Sequence, residues 1–157
     1  MLHFGRYGRD AEDSLHMYPL FMGYQGLVRG YDYNSFDASE CVATATDQCP
    51  VYDQLLGTRM LVGNLELRFP LLGVLGLGHG YYGAFPIEAA IFGDGGVAWH
   101  QGQEPRFLGG TRKLVTSAGA ALRVNMFGFA VVEVDYVRPF DRPGKGWLWQ
   151  FGLTPGF

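Results

Sequence analysis

Charge is scarce in this chain. Lys, Arg, Asp and Glu together make up 17% of its 157 residues, against roughly 25% in ordinary soluble domains. The cations are scattered with no Lys/Arg run, and the isoelectric point is near 5.7. That excludes the basic footprint of a nucleic-acid binder. Long apolar runs are missing as well: stretches such as Phe69–Gly78 fall well short of the ~18 residues a transmembrane helix needs. The first twenty residues hold Arg6, Arg9, Asp10, Glu12 and Asp13, which leaves no apolar signal-peptide core. Catalytic patterns are absent too. His3, His16, His79 and His100 lack metal-ligand spacing, and no serine sits in a GxSxG elbow. Gly78-His79-Gly80-Tyr81-Tyr82-Gly83 matches GxGxxG but leads into an alternating segment, where a dinucleotide site requires a helix. No enzyme, cofactor or metal site is expected.

What the chain has in excess is glycine and aromatic residues. Glycine, at 24 of 157 residues or about 15%, is twice the ordinary ~7%. Aromatics make up 15% and apolar residues 48%, too much for a disordered chain at a net charge of −3. The glycines have no three-residue period, so collagen is excluded. A helix bundle fits poorly, since glycine costs about 1 kcal/mol per helix position relative to alanine.

The chain divides near residue 57. Residues 8–57 are rich in Asp, Ser, Tyr, Gly and Thr without sustained period, a loop far longer than the usual 4–6 residues. Strict alternation follows. Leu61, Leu65, Leu67 and Phe69 oppose Asn64, Glu66 and Arg68; Ile87, Ile91 and Val97 oppose Glu88 and Asp94. The pattern predicts strands at about 58–71, 87–99, 113–124, 128–138 and 147–157, with the tail of another at Leu2–Tyr7. Each has one greasy face and one polar or small face. Soluble strands peak at 5–6 residues, whereas tilted strands that cross a bilayer need 9–11. Short and long connectors alternate, with a tight turn at 125–128 against polar loops at 100–112 and 139–146, as in an outer-membrane barrel. The segment 72–86 is an apolar, glycine-rich excursion on the short side. Trp99, Trp147, Trp149, Tyr81, Tyr82 and Phe157 fall near strand ends, where such barrels carry aromatic girdles. A soluble β-barrel binding small apolar ligands stays open, and it would turn the greasy faces inward.

Cys41 and Cys49 are the only cysteines, with seven residues between them in the long loop. That spacing is not CxxC. A disulfide there would contribute about 2–3 kcal/mol on the chain-entropy model. The alternative is two free thiols, though the polar setting favours an oxidising compartment.

Val28-Arg29-Gly30-Tyr31 resembles a motif of the BamA/TamA-type outer-membrane assembly and secretion superfamily, the bacterial surface antigen family. In that family a Val-Arg-Gly-aromatic motif stands at the tip of a long extracellular loop that folds back into the lumen. Other segments resemble the family in the same order. Leu65–Pro70 looks like the next strand, with Glu66 as its inward acid; Phe92-Gly93-Asp94-Gly95-Gly96 matches Phe-x-Asp-x-Gly; Ser117-Ala118-Gly119 and Asp135–Phe140 look like the strands after it. The loop's cysteine pair also has a counterpart there. Gln150, Gly152 and Phe157 resemble a C-terminal insertion signal, although Pro155 departs from it and cannot donate a ladder hydrogen bond.

The resemblance implies an all-β antiparallel meander forming the C-terminal part of a transmembrane barrel in the bacterial outer membrane. Arg29 is then expected to give bidentate hydrogen bonds to lumen acids, Glu66 and Asp94. The implied function is insertion or translocation of proteins. The implied partners are the lipid bilayer, client outer-membrane or secreted proteins, and the barrel assembly machinery for the chain's own insertion. A dedicated secretion pore, for a partner or a fused passenger such as a patatin-like lipase or a propeller, is the second reading. Five strands and a tail cannot close the roughly sixteen-strand barrel the resemblance implies, since single-chain barrels begin at about eight. All 157 residues are therefore expected to be one partial barrel domain, with Met1 inside a longer protein.

Overall fold

The structure is a computed structural model describing residues 1–6, 18–41, 49–74 and 86–155. In chain order its strands are β1 (Leu2–Arg6), β2 (Leu20–Phe21), β3 (Leu56–Gly57), β4 (Arg59–Pro70), β5 (Ile87–Trp99), β6 (Val115–Met126), β7 (Ala130–Pro139) and β8 (Leu148–Pro155). Helical turns α1 (Pro50–Asp53) and α2 (Leu71–Val74) are the only α-segments among the described residues. Six strands form one open antiparallel sheet in the order β1-β4-β5-β6-β7-β8, and β2 pairs with β3. The fold is an all-β meander of the outer-membrane-barrel type.

Period-2 alternation determines which face each side chain takes, and ladder register aligns those faces from strand to strand. Leu65 stands opposite Gly93, Asn64 opposite Asp94, and Asp135 opposite Gln150. One face therefore carries Leu65, Leu67, Ile91, Leu122, Tyr136, Phe151 and Leu153. It is bare: Leu65 is 80% exposed, Phe151 74% and Leu153 71%. The opposite face carries Asn64, Glu66, Asp94, Ser117, Arg123, Glu133, Asp135 and Gln150, and the segment 18–41 lies against it. A soluble ligand-binding barrel would show the reverse. Burial here is on the polar side.

The core is accordingly built between loop and sheet. Met22, Val28, Tyr31 and Leu55 are fully buried against Val62, Ala98 and Val115 of β4, β5 and β6. Each such side chain contributes roughly 1.5–3 kcal/mol by leaving water. Pairing of Leu20 with Gly57 and Phe21 with Leu56 draws the two ends of the loop together beside β4.

Strand bounds depart from the alternation reading around the hairpin. β6 begins at Val115 and runs to Met126, and β7 begins at Ala130, which displaces the expected 113–124 and 128–138 toward the C-terminus. The turn centres on Phe127 and Gly128, with φ of 55° and 80°, and Phe129 N–H donates to the Met126 carbonyl at 3.0 Å. The ladder pairs Met126 with Ala130, which leaves a tight three-residue loop, 127–129, and its tightness lets both strands extend. A phenylalanine at positive φ gives no sequence signal for such a turn, because the residue ordinarily avoids that region. β4 and β8 are likewise shorter than expected by a residue or so at their starts. Trp99, expected in an aromatic girdle, is buried, while Trp147 and Trp149 are exposed and flank Tyr136 at 4.7 Å ring separations. Tyr81, Tyr82, Phe157 and most of the 72–86 excursion lie outside the described residues.

Candidate functional site

Arg29 is the centre of the loop dock. It projects from the tip of the 18–41 segment onto the polar face, with its side chain 5% exposed. Nε donates to Asp94 Oδ2 at 2.7 Å and Nη2 to Asp94 Oδ1 at 2.9 Å, a bidentate fork. Its own backbone N–H also donates to Asp94 Oδ2, at 3.2 Å, and Nη1 donates to Glu66 Oε2 at 3.1 Å. Burial works against the guanidinium's charge, but the hydrogen bonds and charge of Asp94, with Glu66 behind it, outweigh this and hold its pKa above the ordinary value.

The guanidinium also lies over the Phe92 ring, 3.3 Å from its centroid, a stacked cation–π contact. That geometry depends on Gly119. A side chain at 119 would strike the Tyr136 carbonyl and the Phe92 ring, so the glycine lets the ring spread across β6 as a platform.

The acids are themselves tied. Asn64 Nδ2 donates to Asp94 Oδ1 at 2.9 Å and to the Leu27 carbonyl at 2.5 Å. Arg123 forks onto Glu133, with Nε–Oε2 at 2.9 Å and Nη2–Oε1 at 2.7 Å, and also pairs with Glu66. Arg68 Nε reaches Glu66 at 2.5 Å. Three arginines thus share Glu66, Asp94 and Glu133. Asp135, fully buried, receives only the Gln25 amide, at 2.9 Å, and its other oxygen has no partner among the described residues.

The remaining motif residues fix the backbone of the tip. Gly30 has φ of 89°, a conformation that glycine adopts without a Cβ penalty, and its N–H donates to Gln150 Oε1 at 2.7 Å. Tyr31 is fully buried; its hydroxyl donates to the Thr116 carbonyl at 2.8 Å and accepts from Asp141 N–H at 3.2 Å. Burial raises its phenol above the usual tyrosine value, so it remains a neutral donor. Cys41 and Cys49 are joined as a disulfide.

Of the residues singled out in the sequence, Val28, Arg29, Gly30, Tyr31, Glu66, Asp94 and Gln150 meet at this dock. Gly152 faces the Gln25 amide with no room for a side chain between them. The disulfide lies apart from the arginine centre, and Phe157 is outside the described residues. Sequence reasoning passed over Gln25, Asn64, Arg123, Glu133 and Asp135. One signal for two of them was present: Arg123 and Glu133 each stand five residues from Gly128 and face each other across the ladder. Beside the dock is a cavity of about 480 Å³, lined by Arg29, Glu66, Arg68, Arg123, Glu133 and others. Among the described residues no cluster of His, Cys, Asp or Glu is arranged to hold a metal ion. With Glu66, Asp94 and Glu133 matched by arginines, the arrangement is suited to holding a loop.

A meander with a bare apolar face, and a polar face carrying a docked loop, defines the class of outer-membrane β-barrel proteins with a plugged interior. Within that class, the Omp85 superfamily domain matches residues 3–155, and the chain belongs to that superfamily. At the level of the family, this means bacterial outer-membrane proteins that insert or translocate other proteins and are not enzymes. No curated protein and no solved structure matches the chain significantly.

Proposed function

We propose that this chain is barrel wall and plug loop of a protein that inserts or translocates client proteins at the bacterial outer membrane. The observation that carries the reading is Arg29, buried on the polar face and shared by acids of two neighbouring strands, Asp94 of β5 and Glu66 of β4. In this reading the bare face of Leu65, Phe151 and Leu153 meets lipid, and strands 59–70, 87–99, 115–126, 130–139 and 148–155 are part of one barrel domain. The docked loop braces the wall from inside and keeps its curvature fixed while client chains are handled elsewhere on the barrel. Cys41–Cys49 stiffens the outer part of the loop, and Gln150 and Gly152 serve as loop contacts as well as belonging to an insertion signal. The client proteins and the lipid bilayer are the partners; no cofactor takes part.

The test uses the full-length protein in lipid vesicles, supplied with an unfolded barrel client. Client insertion, read as protease-protected mass, is expected with the native protein and expected to fall at least tenfold with Arg29→Ala. Equal insertion by vesicles with and without the native protein contradicts the reading.

A further inference from the structure

We propose that Arg142, in the connection between β7 and β8, is a second positioning residue for the loop, fastening its outer half independently of Arg29. Its side chain is fully buried, and all five of its N–H donors are used on the loop. Nε and Nη2 fork onto Glu40, both at 2.8 Å. Nη1 donates to the Gly30 carbonyl at 2.7 Å and to Ser35 Oγ at 2.8 Å, and Nη2 donates to the Ser35 carbonyl at 2.7 Å. The guanidinium lies 4.1 Å from the centroid of the Phe36 ring. A planar fork that satisfies a carboxylate and two carbonyls at once is a geometry lysine cannot reproduce.

Both sides of this contact are held rigid. On the sheet side, Asp141 Oδ2 accepts from Thr116 N–H at 2.8 Å and from its hydroxyl at 3.0 Å, so the connection is anchored to β6. On the loop side, Asp37 N–H donates to Glu40 Oε1 at 3.0 Å, Lys145 pairs with Asp37, and the Cys41–Cys49 bridge starts at the next residue. Among the described residues Arg142 and Arg29 share no side-chain partner. Arg29 holds the tip against β4 and β5, whereas Arg142 holds residues 30–40 from the β7–β8 side. Breaking one attachment leaves the other in place, and the tethered segment then re-docks at high effective concentration. The loop therefore stays in the interior while either arginine holds, and residues 139–146 control one of its attachments.

Limited proteolysis of the full-length protein in vesicles, mapped by mass spectrometry, tests this and reads loop position without reference to client insertion. Arg142→Gln is expected to raise cleavage within 32–41 at least tenfold while heat-resistant gel mobility is kept. Glu40→Gln is expected to do the same, Arg142→Lys to restore part of the protection, and the Arg142/Glu40 double variant to be no worse than the stronger single. The Arg142→Gln increase is also expected to persist in an Arg29→Ala background. Cleavage within twofold of native in Arg142→Gln overturns the proposal, as does loss of its effect when Arg29 is absent. Should Arg142→Gln fail to fold, Glu40→Gln decides: protection within twofold of native overturns the proposal. A protein that inserts no client but shows this cleavage pattern retains the Arg142 clamp while losing the proposed function.

Discussion

Replacing Arg29 by alanine removes three side-chain hydrogen bonds to acids and the contact with Phe92. Asp94 is the group most affected. Its side chain is fully buried, and after the substitution it retains only Asn64 Nδ2 and the backbone N–H of residue 29. Glu66 fares better, because Arg123 and Arg68 still reach it. Deleting one partner of a buried pair costs about 3–5 kcal/mol. With both acids keeping other donors, the lower end applies, about 3 kcal/mol, which is a factor of roughly 10² in the docking equilibrium. Arg29→Lys keeps the charge but loses the fork and the stacked plane, and is expected to cost about half as much. The assay is cleavage near residues 24–27 in the full-length protein, together with the temperature at which heat-resistant gel mobility is lost. Cleavage of Arg29→Ala within twofold of native, with mobility unchanged, would refute the reasoning, because it would mean that the fork contributes nothing to docking.

The other expectations concern the groups around that centre. Asp94→Asn is expected to loosen the loop by about 2–3 kcal/mol, since charge-assisted bonds contribute most. Asp135→Asn should change docking by less than about 1 kcal/mol, since its carboxylate lacks a cation within hydrogen-bond reach and the amide can still accept from Gln25; the same cleavage assay ranks the two. Glu40 behaves differently with pH. Burial raises its pKa, but the Arg142 fork, the Asp37 N–H and the Lys145 charge together bring it below the ordinary 4.5. A lowered pKa means that its contribution is complete above the unfolded value and disappears as pH falls through the folded one. Cleavage within 32–41 should therefore be flat from neutral pH down to about 4.5 and rise below it, with the dependence flattened in Glu40→Gln. Reduction of Cys41–Cys49 frees a short ring beside Glu40 and is expected to cost about 2–3 kcal/mol of loop order, read as faster cleavage in reductant than in buffer alone.

Much of the sheet is legible in the sequence because a strand with lipid on one side and a wet interior on the other must alternate. Leu65, Leu67 and Phe69 against Asn64, Glu66 and Arg68 express that constraint directly, and the all-β meander follows from it. Assignment to the superfamily is legible from Val28–Tyr31 and Phe92–Gly96 taken in order. The hairpin at Phe127–Gly128 is misplaced by two residues for a local reason: its first residue is a bulky side chain at positive φ, which the ladder imposes and propensity opposes. Glu66 and Asp94 stand out as acids at polar phases of their strands. Arg142 does not, because it lies in an irregular connection where neighbouring residues carry no period. Its partners are a glutamate and two carbonyls about a hundred residues away in chain order, and only the folded loop brings them together.

The most direct test of the central idea is where the two faces point. Nitroxide side chains placed singly at Leu65, Phe151 and Gln25 of the full-length protein in vesicles can be probed with oxygen, which concentrates in lipid, and with a water-soluble nickel chelate. A loop docked inside a lipid-facing wall is expected to leave positions 65 and 151 accessible to oxygen and shielded from nickel, with position 25 shielded from oxygen. Nickel access at 65 and 151 would contradict it.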